Sequence, residues 1–280
     1  MTRQGKRENP SERWNKQLRD TGRAFGGAIV FALPMLMTME FWELGFVIDP
    51  IRLLIFVLVA VPVLTELSRR IGFESSQRLG TNLIDAFFAL LIGAVTAVVV
   101  LTVFDALTLE MSTRETVGKV AIQTVPAAIG ALLARAQFGE QSEDEVGEES
   151  ETYGGEMLLM AIGALFLGFN IAPTEEVVLI AYRITPWHAL GLVAVSLMIM
   201  HGFVFAVSFR GGTTLDPETP WWSAFLRLTL PGYMIALAVS LYVLWTFHRI
   251  DDVPVSLALF TVIVLGLPSS VGAAAARLIL

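Results

Sequence analysis

From Leu83 to Phe104 the chain reads LIDAFFALLIGAVTAVVVLTVF, a run whose single charge, Asp85, stands near one end. About 20 apolar residues rising 1.5 Å each cross a hydrocarbon core roughly 30 Å thick, and a helix satisfies every backbone N–H and C=O without water. The stretch therefore predicts a membrane-spanning helix. Seven further runs of this kind flank it: Ala24 to Leu44, Ile51 to Leu67, Val117 to Ala136, Met157 to Ala172 with an extension to Tyr182, Trp187 to Phe209, Ala224 to Phe247, and Val253 to Leu280. The run from Val117 is the least apolar, because Lys119, Gln123 and Thr124 interrupt it. Together they predict an all-α, polytopic integral membrane protein with about eight transmembrane helices.

Composition agrees. Of 280 residues 55% are apolar and 16% charged, with a mean hydropathy of +0.67, which excludes an ordinary soluble globule. The absence of cysteine excludes disulfides, thiolate metal sites and cysteine catalysis. Seven of the 26 acids crowd between Glu140 and Glu151, and outside that stretch 19 acids balance 19 bases. The net charge of −7 thus belongs to one loop, and no nucleic acid is expected as a partner.

Basic loops resist translocation, so Lys and Arg sort the two membrane sides. Fourteen fall on one side and five, Arg52, Arg114, Lys119, Arg183 and Arg249, on the other. Both termini and the acidic loop are expected in the cytoplasm. The first 23 residues lack a small-residue cleavage pattern, so the first span is expected to be a retained anchor. That tail carries seven bases against three acids, with Trp14 and Leu18 one helical turn apart, which suits either an anionic lipid surface or a solvated tail that only sets topology.

The chain also resembles itself. Pro126 to Arg135, PAAIGALLAR, aligns with Pro268 to Arg277, PSSVGAAAAR, at an offset of 142. Thr38, Glu40 and Pro50 align with Thr174, Glu176 and Pro186 at 136, and Asp85 to Phe87 with Ser223 to Phe225 at 138. An even number of crossings returns the chain to its starting side, so this predicts two parallel four-helix repeats with a pseudo-two-fold axis along the membrane normal. The implied organisation is a basic tail (1–23), a first repeat (24–138), an acidic linker (139–155) and a second repeat (156–280). Pro126, Gly130, Ala134 and Pro268, Gly272, Ala276 place small residues four apart, the spacing of close helix packing in lipid.

Candidate chemistry rests on Glu40, Glu43, Glu175 and Glu176, since a carboxylate near the membrane interior is costly and marks a cavity, an ion path or a partner. Glu40 and Glu176 are repeat-related. Facing each other, they would share a proton or a cation. Against this, Glu40 lies 17 residues past Arg23, about 25 Å of helix, which also fits a plain interfacial helix start. In Gly168 to Glu176, GFNIAPTEE, Pro173 predicts a break that would leave carbonyls unpaired beside carboxylates, with Asn170 as a neutral ligand. Pro34 predicts a milder break in the first span. Thr38, Thr174 and His201 are secondary polar candidates, His201 being read equally as a packing residue.

A hydrolase reading is weak. Glu175-Glu176 with His201 resembles the acidic pair and histidine of intramembrane prenyl-protein peptidases, but the position of that family's arginine holds Ile180, and Leu197 stands where its Phe-x-x-x-His motif needs phenylalanine. No enzymatic activity and no cofactor are expected.

The strings LPMLMTMEFW (Leu33 to Trp42) and FNIAPTEE (Phe169 to Glu176) resemble a family of bacterial integral membrane proteins catalogued as a domain of unknown function. The resemblance spans nearly the whole chain and implies the bacterial inner membrane, with no activity attached. The leading expectation is a cation or proton transporter or channel. Its rival is a non-transporting module that binds a lipid or a protein, and a second copy of the chain is a further candidate partner.

Overall fold

The computed structural model describes residues 10–71, 79–138, 153–207 and 221–279, and no strand occurs among them. The helices are α1 (Pro10–Leu36), α2 (Met39–Val47), α3 (Pro50–Ile71), α4 (Leu79–Val103), α5 (Thr113–Phe138), α6 (Tyr153–Ile171), α7 (Glu175–Arg183), α8 (Pro186–Val207), α9 (Trp221–Thr246) and α10 (Val255–Ile279). Seven are long and apolar enough to span a membrane. An eighth span is counted when Leu18–Leu36 is taken with Met39–Val47, to which it is joined through an 84° bend.

That bend divides the run read as Ala24 to Leu44. Pro34 lacks an N–H and its ring crowds the carbonyl one turn back, while Thr38 is extended at φ −97° and ψ 118° and restarts the chain as α2. The last carbonyls of α1 lose their helical donors. Gln123 supplies one replacement, its Nε2 donating to the Met35 oxygen at 3.3 Å. The second break falls where Pro173 predicts it. There α6 ends at Ile171, whose carbonyl accepts from the Thr174 amide at 3.1 Å and from the Thr174 hydroxyl at 2.8 Å. Nine residues each, α2 and α7 extend only about 14 Å and cannot cross.

Two compact units emerge. One comprises residues 1–36, 60–109 and 123–141. Its interior is built on small residues: a Cβ on Gly27 would overlap the Gly130 carbonyl and Ala134, and one on Gly93 would overlap the Thr124 carbonyl and the Ala128 amide. Ser68 donates to buried Asp85 at 3.1 Å. The fifth helix, interrupted in sequence by Lys119, Gln123 and Thr124, is the most enclosed of the seven candidate spans, 83% buried against 17–61% for the others. Its polar residues face protein, which explains a composition that lipid would not tolerate.

The other unit comprises residues 37–59, 110–122 and 142–280. Here α6 lies against α10, and a Cβ on Gly163 would overlap the Gly272 carbonyl and Ala276. Met160, Met200 and Tyr233 form its core with Ala164, Ala236 and Ala273. Within α9, Phe225–Thr229 forms a wide π turn. Lys119, 7% exposed, pairs with Glu115 at 2.9 Å.

Candidate functional site: an arginine among three carboxylates

Helix α9 closes with His248 in the left-handed region at φ 59°, where the Arg249 amide reaches the Leu244 carbonyl at 2.9 Å and the His248 amide the Trp245 carbonyl at 3.3 Å. This is the geometry of a left-handed helix cap, here without glycine. It brings the Arg249 guanidinium into electrostatic range of Glu175, Glu40 and Glu43. Burial lowers the Arg249 pKa from its ordinary value, and the three carboxylates, Glu175 most, act the other way. Its Nε is buried without a hydrogen-bond partner, and no described carboxylate forms an ion pair with it.

Arg52 is held differently. Its guanidinium lies 4.8 Å from the Trp245 ring centre, donates to the Trp245 carbonyl at 2.5 Å and meets Asp251 at 2.8 Å. His248 Nε2 stands 3.9 Å from the same Asp251 carboxylate. Phe41, Phe56, Phe169 and Phe247, from four different segments, form a buried aromatic cluster with ring centroids 5.4 to 6.3 Å apart. Phe41 follows Glu40 and Phe247 precedes His248, so this apolar body anchors the segments that carry the charges.

Of the sequence-derived candidates, Glu40, half-buried, and Glu43 lie on α2, and Glu175 and Glu176 open α7, where the helix dipole favours acids. Glu40, Glu43 and Glu175 act electrostatically on Arg249, whereas Glu176, exposed as Glu43 and Glu175 are, is not among the carboxylates acting on it. Asn170 turns back on its own helix, its Nδ2 donating to the Phe166 carbonyl at 2.7 Å. Thr174 serves the α6 end as described, and the Thr38 carbonyl accepts from the Phe41 amide at 3.1 Å. His201 lies far along α8, its Nδ1 2.9 Å from the Thr229 hydroxyl and its ring edge-on to Phe225 of the π turn at 5.4 Å. It does not enter the cluster around Arg249.

Sequence reasoning missed Arg249 as the centre, and Arg52 and Asp251 as its braced neighbours. The available signal was their position: Arg52 and Arg249 are two of only five bases on the base-poor side, where a retained arginine needs a partner. Among the described residues no group of three or more His, Cys, Asp or Glu side chains could hold a metal ion.

A profile of the family described as "Putative integral membrane protein (DUF2391)" matches residues 20–280 of the chain. No curated protein and no solved structure matches it.

Proposed function

The chain belongs to the DUF2391 family of integral membrane proteins, and on that premise we propose that it moves a cation or a proton across the membrane. The observation that carries this reading is Arg249 in the field of three carboxylates without an ion pair to any of them. Three acids around one fixed cation leave net negative charge, and carboxylates not locked into a salt bridge are free to take a proton or a second cation. Arg249 then acts as a tethered counter-ion that neutralises the cluster when it is unloaded. Glu40, Glu43 and Glu175 are the proposed acids of the path, meeting the ion or proton in turn and not as one three-carboxylate metal site, with Glu176 an outer acid, and no hydrolytic chemistry is part of the reading.

Duplication supports a transporter-like scaffold. Helices α1 to α5 and α6 to α10 follow the same order, long, short, long, long, long. The Gly27, Gly130, Ala134 contact has a counterpart in Gly163, Gly272 and Ala276, displaced by the offsets of 136 and 142. Asp105 and His248, 143 apart, are both left-handed caps followed by the same pair of backbone bonds. At that offset Arg249 falls on Ala106, so the scaffold reads as duplicated and the charged centre as unique to the second copy. Basic-residue asymmetry and crossing parity support a bacterial inner-membrane protein with cytoplasmic termini.

The test is ion and proton flux into proteoliposomes under an imposed potential, with wild type beside Glu40→Gln and Arg249→Gln. Flux is expected in wild type, at least tenfold lower in Glu40→Gln, and altered in its dependence on ion concentration in Arg249→Gln. Wild-type flux equal to that of empty liposomes for Na⁺, K⁺, Ca²⁺ and H⁺ would overturn transport and leave the lipid- or protein-binding module.

A further inference from the structure

In the unit that holds α1 and α4, we infer a second site, at which Asn82, Asp85 and Ser68 bind a partly hydrated monovalent cation of the Na⁺ class. Asn82 is the residue that reveals it. Its Oδ1 and its Nδ2 are both wholly buried and both without a hydrogen-bond partner, in a residue only 1% exposed. Buried polar atoms are nearly always satisfied, so a side-chain amide orphaned at both ends asks for a ligand.

A carboxylate stands one helical turn away. Asn82, Asp85, Ala86 and Ala89 belong to the buried stripe of α4, and side chains three residues apart on a helix are neighbours, their Cβ atoms about 5–6 Å apart. Helical side chains lean toward the helix start, which directs Asp85 over the turn that carries Asn82. From α3, the Ser68 hydroxyl donates to Asp85 Oδ2 at 3.1 Å, in a residue itself 1% exposed, and so ties the carboxylate to the neighbouring helix. The amide nitrogen of Asn82 makes no bond to that carboxylate. The two are neighbours held apart, the relation that a shared ion requires. An ionised carboxylate accepts at about four positions, so the bonds Asp85 already makes leave it able to meet a cation.

The chemistry of the ligand follows from this set. Asn82 Oδ1 and Ser68 Oγ are neutral oxygens, and Asp85 supplies one formal charge, which balances a monovalent ion and falls short of the oxygen-rich, multiply anionic shell that Ca²⁺ takes. A water retained by the ion would accept from Asn82 Nδ2, so one partly hydrated cation satisfies both ends of the amide. It also offsets the cost of a carboxylate only 7% exposed on a spanning helix. The site uses none of the residues around Arg249 and does not require the transport reading.

The test uses the full chain in detergent, comparing thermal unfolding midpoints in NaCl, KCl and choline chloride at equal ionic strength. Binding only to the folded state should raise the wild-type midpoint in NaCl by about 3 °C or more over choline. Asn82→Leu, close in volume and free of polar atoms, should keep or raise the choline midpoint and lose the NaCl increment. Should that variant not fold, Ser68→Ala, which deletes one ligand and little volume, should cut the increment by about half or more. Glu40→Gln should retain the increment, which separates this site from the carboxylates around Arg249. Equal wild-type midpoints in all three salts would overturn the inference in favour of a trapped water. So would an increment that survives Asn82→Leu or is untouched by Ser68→Ala, or one that only Glu40→Gln removes.

Discussion

At the scale of single residues, the two arginines of the second unit show how context decides what a charge can do. Arg52 uses its plane over Trp245 and its fork toward a carbonyl and Asp251, an arrangement a lysine cannot reproduce. Both partners retain some exposure, so solvent screens the ion pair and the ring contact contributes a comparable share. Arg52→Met is expected to destabilise the protein by about 1–2 kcal/mol, read as a lower thermal midpoint, with Arg52→Lys recovering less than half. A cycle with Asp251→Asn isolates the pair, and additive effects of the two changes would show that it contributes nothing. Arg249, by contrast, is held by no such contact, which is why it and not Arg52 is assigned the counter-ion role. Neither distinction is visible in the sequence, where each arginine stands at the edge of an apolar run with an aspartate nearby. The glutamates stood out there because four acids beside apolar runs are anomalous, and their partner stood out less, because its only signal was its place among the five bases of the base-poor side.

At the scale of elements, hydrophobic runs located the helices well, since lipid imposes the same length on every crossing. The boundary that misled was Ala24 to Leu44, where Pro34 predicts only a mild break and the chain turns through 84° beside Thr38. Apolarity reports burial from water and is silent on direction, whereas Pro173 marks the second break because the residues beside it are polar. The π turn in α9 left no signal at all, as one wide turn changes no residue type. Close helix approach was legible, and it yields a graded expectation. Gly163→Leu should abolish folded yield, because its side chain would displace the Gly272 backbone and Ala276 and not merely a flexible chain end. Gly27→Leu should do the same against Gly130 and Ala134, whereas Gly26→Ala, with nothing within 4 Å of the new methyl, should leave yield and midpoint unchanged. Monodispersity on gel filtration reads the difference. A folded Gly163→Leu protein would mean that the α6 and α10 backbones have more freedom to separate than their contact implies.

At the scale of the whole molecule, the proposed topology follows from parity. With the seven long apolar helices and the bent pair Leu18–Leu36 and Met39–Val47 counted as one span, the proposed crossings are even in number and return the chain to its starting side. In that proposed topology the segments after α1, α4, α6 and α9 would lie on the side opposite the termini, and Glu40, Glu175 and Arg249 belong to those segments. The chain has no cysteine, so single introduced thiols report side without background. Glu110→Cys and Asp252→Cys, both at exposed positions, should react with a membrane-impermeant maleimide applied to intact cells. Trp14→Cys, 62% exposed, should react only after permeabilisation. Labelling of Glu110→Cys and Asp252→Cys on opposite sides would break the even crossing count and with it the parallel repeat. Labelling of all three from outside would leave no orientation in which basic residues gather in the cytoplasm. If Glu110 and Asp252 share the outer face, the carboxylate cluster opens toward the compartment from which a cation would be drawn.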